Sequence, residues 1–333
     1  MGCDRVALER RCAAESLGLM RIGVIYPGQG SQVVGMGVEV ALAYPAAMEC
    51  FRKAKSVLGY DLLALCEEGP EPKLRETRYA QPSIFVTNIA LRAAVGDGLA
   101  PVVSAGHSFG EFCSLETSGS MSFELALSLV NERGLAMNRA AALVPGAMAA
   151  VLGLAPDPLR LAVAKAIASG AGRVQLANFN APGQIVISGD EEAVRVASER
   201  ALEAGAKRIV PLNVAGAWHS VLMDPAKKEL SRLIADAPIA MPRFTVISNV
   251  DAQPYSRVEQ IKENLVRSVS DEVLWHDTAV AMVALGLDLI VEFGASPVLA
   301  PMMKRIDGAP KAITVSDAAG VEKLRAMLAP SAV

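Results

Sequence analysis

With 333 residues, 52% of them apolar and 20% charged, the chain has ample material for a large buried core and too little polar bias for disorder. A formal net charge of -3 offers no clustered basic face for nucleic acid, and no run reaches the roughly 18 consecutive apolar residues of a membrane span. The five cysteines (Cys3, Cys12, Cys50, Cys66 and Cys113) are scattered, odd in number and without a Cys-x-x-Cys pair, a pattern of reduced cytoplasmic thiols rather than of zinc, redox or disulfide chemistry.

Residues 1–19 carry Asp4, Arg5, Glu9, Arg10 and Arg11 with no apolar run behind them, which excludes an ordinary secretory signal and reads as an N-terminal extension. Met20 is an equally good start, because the first clear strand, Arg21–Tyr26, follows at once. That strand ends in Pro27-Gly-Gln-Gly-Ser-Gln32, a tight loop that only small, flexible residues form. Helical spacing follows over 38–57 and 82–96. The apolar run Pro101–Ala105 predicts a buried strand leading directly into Gly106-His-Ser-Phe-Gly110, with helical pattern from Glu111 and again from Phe123 to about Ala142. Strands alternating with helices on this scale imply a mostly parallel sheet covered on both faces.

Residues 146–214 change rhythm. Strand patterns over 147–154, 174–178, 184–188 and 208–214, with helical patterns over 158–169 and 191–204, give the β-α-β-β-α-β order of a ferredoxin-like unit. The parent pattern then resumes with helix 222–236, strand 244–249, helices 257–268 and 277–285, and strand 288–293. The expected organisation is one α/β body, 20–145 and 215–333, interrupted by a small subdomain, 146–214.

Gly106-His-Ser-Phe-Gly110 matches G-x-S-x-G, in which a strained strand-to-helix turn lifts a serine oxygen out of the sheet and glycines remove side chains that would clash. The strand before it and the helix after it are the setting this motif requires, and the helix N-terminus favours an oxyanion. Ser108 is thus a candidate nucleophile in need of a base, and the chain holds three histidines. His107 adjoins Ser108 on the same turn, where side chains diverge, and suits bracing. His276 starts a helix and suits capping or solvent. His219 follows the strand 208–214 in a strand-to-helix loop, where such sheets place catalytic groups, although a lone histidine there fits a structural role equally well. Asp251 stands where a hydrolase would put an orienting acid, yet loop aspartates also make turns, and a main-chain carbonyl is the other way to hold an imidazole.

With the Pro27–Gln32 loop, Gly106-His-Ser-Phe-Gly-Glu111 and the ferredoxin-like insert stand Asn131-Glu-Arg-Gly134, Gly146-Ala-Met-Ala149, Asn178-Phe-Asn-Ala-Pro-Gly-Gln184, Trp218-His219-Ser220, Ser248-Asn-Val-Asp251 and Glu292-Phe-Gly294. In this order and spacing, from about Arg21 to Ile306, the chain resembles malonyl-CoA:acyl carrier protein transacylases and the acyltransferase domains of polyketide synthases. The resemblance implies an α/β-hydrolase-like core, Ser108 as nucleophile, His219 as base, and the main-chain N–H groups of Gln29 and Phe109 as oxyanion hole. It implies that a main-chain carbonyl orients the base, from a residue often glutamine in the family and matched here by Ser268. The neighbouring Ser270-Asp271-Glu272-Val273 is more acidic than the usual pattern. Trp218 takes a place often filled by phenylalanine or serine and associated with extender-unit choice, and its bulk favours malonyl over methylmalonyl.

Arg133 lies on the apolar stripe of its helix, in register with Leu125, Leu129 and Met137. Spacing alone fits either a stem covering the core with its head in solvent or a buried guanidinium reading an anion. The resemblance assigns it to the malonyl carboxylate, with Gln81, Met137 and Asn178 lining the same cavity. The activity so implied is transfer of malonyl from malonyl-CoA to the phosphopantetheine thiol of an acyl carrier protein, in fatty acid or polyketide synthesis, by a monomer with no bound cofactor or metal. The rivals are a serine acyl hydrolase of the same fold, against which Arg133 argues, and a non-catalytic carrier-binding module.

Overall fold

A computed structural model describes residues 20–329, and the extension expected over 1–19 lies outside them. Five strands, β1 (Ile22–Tyr26), β2 (Pro101–Gly106), β7 (Thr245–Ile247), β8 (Leu289–Phe293) and β9 (Lys311–Val315), pair in parallel in the order β7-β2-β1-β8-β9. The near-continuous apolar runs of β1 and β8 follow from burial on both faces. Alternation divides them: Ile22, Val24 and Tyr26 join Leu289, Val291 and Phe293 in the larger core, under helices that include Thr77–Val95 and Phe123–Leu143. Ile25, Val103, Ala105, Ile247 and Ile290 face the opposite side, where helix Trp275–Val283 covers them.

Between β2 and β7 the chain builds the second sheet from β3 (Ala147–Leu152), β4 (Val174–Ala181), β5 (Gln184–Gly189) and β6 (Arg208–Pro211). It is antiparallel in the order β4-β5-β3-β6, the ferredoxin-like arrangement. Helices Pro156–Ala168 and Glu191–Glu203 pack on one face over Val151, Leu176, Ile185 and Ile187. The alternate residues Met148, Ala177 and Val186 belong to the larger core, so the small sheet lies against the parent body. Main-chain bonds from Phe179 N to Val273 O (2.9 Å) and Val273 N to Ala177 O (2.8 Å) stitch the two together.

Short helices Leu62–Glu68, Glu71–Arg75 and Ala300–Met303 add to the expected pattern, and other local features differ from it. The helix read over 38–57 is two, Val38–Ala43 and Pro45–Leu58, because Pro45 lacks an N–H and pushes Tyr44 into extended backbone at φ -126 and ψ 118. The strand read over 208–214 stops at Pro211, which has no N–H to give the ladder, and beyond it one bond to β3 remains, Leu212 N to Met148 O (2.9 Å). A further strand and helix, β9 and Ala318–Leu328, close the chain, with β9 half-exposed at the edge of the parallel sheet. No helix among the described residues is long and apolar enough to cross a membrane.

Candidate active site

Ser108 sits at the carboxyl end of β2 with φ of 55, a left-handed conformation that costs a serine of order 1–3 kcal/mol and persists only where the surroundings impose it. The flanking glycines permit the bend. A Cβ on Gly106 would lie 1.9 Å from the carbonyl carbon of Gly110, and one on Gly110 would lie 2.4 Å from Tyr26 O. The turn is then pinned from outside: His107 N donates to Tyr26 O (2.9 Å) and Ser108 N to Asn249 Oδ1 (3.0 Å). Asn249 is held in turn by its Nδ2 donating to Glu111 Oε2 (2.6 Å), and Tyr255 donates its hydroxyl to Glu111 Oε1. Burial pushes the Glu111 carboxyl up to about 7, against the pull of Tyr255 and Asn249.

His219 arrives from the loop after β6, also left-handed at φ 56 and only 3% exposed, and places Nε2 2.8 Å from Ser108 Oγ. Arg133 Nη2 donates to the same oxygen at 3.2 Å. A guanidinium can only donate, which leaves the serine proton free for His219 Nε2; that direction requires the ring's own proton on Nδ1. Burial lowers the imidazole pKa to about 3, with Arg133 and His107 adding to the effect, so the ring is neutral at neutral pH and able to accept a proton. The main chain of Asp271 and Ser268 acts in the opposite sense, drawing the pKa up. Nδ1 makes no hydrogen bond of ordinary geometry, so this approach is close enough to be felt electrostatically but is not a formed bond.

Arg133 projects from helix Phe123–Leu143 and is 1% exposed, which decides between the two positions its spacing allowed. Nη1 donates to Gln81 Oε1 (2.9 Å), Gln81 Nε2 contacts Met137 Sδ (3.5 Å), and Arg133 Nε has no partner. Burial pushes the guanidinium down to about 10, opposed by Glu111, so it stays charged at neutral pH without an ion pair among the described residues.

These groups open on a cavity of about 100 Å³ lined by Gln29, Gln81, His107, Ser108, Arg133, Met137, Met148, Asn178, Leu212, Val214, Trp218 and His219. Of the residues expected at the site, only Phe109 and Ser268 are not in this lining; Phe109 is buried directly behind Ser108, and Ser268 meets His219 through its main chain. The Pro27–Gln32 loop packs on the serine turn, since a Cβ on Gly28 would lie 2.7 Å from His107 O. His107 braces the turn through Nε2 and Asn180 Oδ1 (2.8 Å), while His276 stands outside the cavity on helix Trp275–Val283. Asp251 serves its own turn, accepting from Gln253 N (3.2 Å) and Asn264 Nδ2 (2.9 Å). Sequence reasoning missed the roles of Asn249 and Glu111, although both stand inside motifs it singled out; Tyr255 carried no signal.

A serine on a strained turn within hydrogen-bond reach of a neutral imidazole, at the carboxyl end of a parallel sheet, is an arrangement found in α/β proteins that move or hydrolyse acyl groups. Residues 24–325 match the family model described as the acyl transferase domain. The malonyl CoA-acyl carrier protein transacylase of Bacillus subtilis is 39% identical over 305 residues, covering 91% of this chain and 96% of that protein. An acyl carrier protein S-malonyltransferase from Vibrio cholerae superposes with a TM-score of 0.86 at 37% identity, covering 91% of this chain and 99% of that one. A malonyl-transacylase solved in complex with its type II polyketide acyl-carrier protein superposes with a TM-score of 0.87 at 36% identity, covering 92% and 99%. The chain belongs to the acyl transferase family, among its malonyl CoA-acyl carrier protein transacylases.

Proposed function

We propose that this protein transfers the malonyl group of malonyl-CoA to the phosphopantetheine thiol of an acyl carrier protein, through a malonyl ester on Ser108. The observation that carries this reading is the buried, unpaired guanidinium of Arg133, 3.2 Å from the serine oxygen. Malonyl differs from acetyl by a terminal carboxylate, and a planar fork of donors inside a cavity is its natural complement.

In the acylation step, Ser108 Oγ gives its proton to His219 Nε2 and attacks the thioester carbon. The main-chain N–H groups of Gln29 and Phe109 receive the oxyanion. The C–S bond then breaks, and the departing coenzyme A sulfur takes the proton from His219. In the second step the carrier thiol gives its proton to His219 and attacks the ester, and the serine oxygen recovers that proton on leaving. Carboxylate binding by Arg133 Nη1 and Nη2 would draw the guanidinium away from Ser108 Oγ, freeing a lone pair for attack. A hydrolase of simple acyl chains would leave this cation with only its neutral partners Gln81 and Ser108 in every state, which argues against that reading.

The catalytic body is assigned to 20–145 and 215–333 and the small subdomain to 146–214, acting as a cytoplasmic monomer with no cofactor beyond its two substrates. The free, buried state of Cys50, Cys66 and Cys113 supports a reducing compartment. The decisive test is radiolabelled malonyl-CoA without carrier: the protein should retain label that survives until a phosphopantetheinylated carrier is added. Ser108→Ala should take up none, and full turnover by that variant would refute the covalent route.

A further inference from the structure

Gln175, half-buried on β4 of the small sheet, reaches across to both segments that meet at His219. Its Nε2 donates to His219 O (3.3 Å) and to Ser270 O (3.2 Å), and its Oε1 accepts from Val221 N (3.1 Å). The two carbonyls and one N–H fix which end of the amide is which. One side chain thus brackets the left-handed residue that carries the imidazole and ties it to the turn 268–271, whose main chain faces Nδ1. That turn is anchored from its other side by Lys227 Nζ on Ser270 Oγ (3.0 Å) and Asp271 Oδ1 (3.2 Å).

The ring is aimed by two pieces of main chain that Gln175 holds together: the left-handed residue on which it is mounted and the turn 268–271 that faces Nδ1. We infer that Gln175 is a positioning residue for the acyl transfer: its carboxamide sets the spacing between the His219 main chain and the turn 268–271, and thereby aligns Nε2 on Ser108 Oγ. A role confined to fastening the small sheet is already filled by the Phe179–Val273 and Val273–Ala177 main-chain bonds. No carboxylate or aliphatic side chain supplies two donors and one acceptor at this length. The inference rests on the assignment of His219 as base.

The test measures the single-turnover rate of Ser108 acylation by malonyl-CoA, after brief pH jumps spanning pH 3 to 9, in Gln175→Glu and Gln175→Leu, with KM and melting temperature alongside. Misalignment on the scale of an ångström should lower the saturating rate by roughly 10–100-fold in both variants, with KM changed less than about 2-fold. In Gln175→Glu the acidic limb should also move to higher pH, because the new carboxylate favours a protonated imidazole; in Gln175→Leu it should not move. Wild-type rates in both, a loss in KM alone, or a fall in melting temperature with rates intact would overturn the inference. Should the leucine variant fail to fold, the near-isosteric glutamate variant carries the test. His219→Ala measured in parallel separates the two assignments: wild-type acylation there defeats the base itself, whereas an inactive His219→Ala beside fast Gln175 variants defeats only the positioning role.

Discussion

Replacing Arg133 with methionine should stabilise the protein while crippling its use of malonyl-CoA. The guanidinium sits 1% exposed with one nitrogen unpartnered, and burial pushes its pKa down from the ordinary arginine value to about 10. That displacement corresponds to about 3 kcal/mol of folding free energy set against keeping the group charged. Methionine fills much of the same stem volume without the charge, at the loss of the hydrogen bonds to Gln81 and Ser108, about 1 kcal/mol each. A net gain near 1 kcal/mol would raise the melting temperature by roughly 1–2 °C in a chain of this size. Malonyl should lose two charge-assisted hydrogen bonds at about 1.5–3 kcal/mol each, a fall of roughly 10²–10⁴ in its acylation rate constant at low concentration. Acetyl, which lacks the carboxylate, should be spared or accelerated. Stopped-quench acylation with both thioesters and calorimetry on the unliganded protein read the two effects separately. Equal loss on malonyl and acetyl would refute the carboxylate reader, and a lower melting temperature would refute the desolvation argument.

Two buried groups should shape stability against pH in opposite senses. Glu111 is raised by burial from 4.5 to about 7, so its contribution is fully present below pH 4.5 and lost as pH rises through 7, an effect of about 3 kcal/mol. His219 is lowered by burial from 6.5 to about 3, so stability should increase as pH rises across that interval. Urea titrations of Glu111→Gln should show the His219 rise without the Glu111 loss between pH 4.5 and 7, and curves parallel to wild type would reject the buried-acid account. Gly106→Ala should cost more than about 3 kcal/mol or prevent folding, because its Cβ would meet Gly110 backbone at 1.9 Å and neither strand nor helix can retreat; near-native stability in the same titration would contradict the close approach.

Much of the site was legible because its requirements are local. The bend at Ser108 needs a positive φ and two positions without a Cβ, and Gly106 and Gly110 announce this within five residues of chain. The apolar runs of β1 and β8 and the β-α-β-β-α-β rhythm of 146–214 record burial directly, so the α/β class and the inserted unit follow from pattern alone. The break at Pro45 was legible too, in the missing N–H of proline, but lost among residues with helical spacing. β9 escaped because a half-exposed edge strand of five residues leaves little periodic signal.

What the linear order cannot carry is convergence. Ser108 and His219 are separated by 111 positions, and only the placing of β2 beside the loop after β6 turns that separation into 2.8 Å. The stripe of Leu125, Leu129 and Met137 put Arg133 on an apolar face, but packing of its helix against Thr77–Val95 decided that the charged head stays inside and meets Gln81. The Tyr255–Glu111–Asn249 chain behind the serine, and the Gln175 bridge beside the histidine, join residues from well-separated segments of the chain. The sequence by itself determined the fold class, the nucleophile's turn and the candidates around it, because backbone sterics and burial act between near neighbours. Only tertiary structure decided which histidine meets the serine, through which nitrogen, and what surrounds it there, because those depend on distances that exist only once the two sheets are packed.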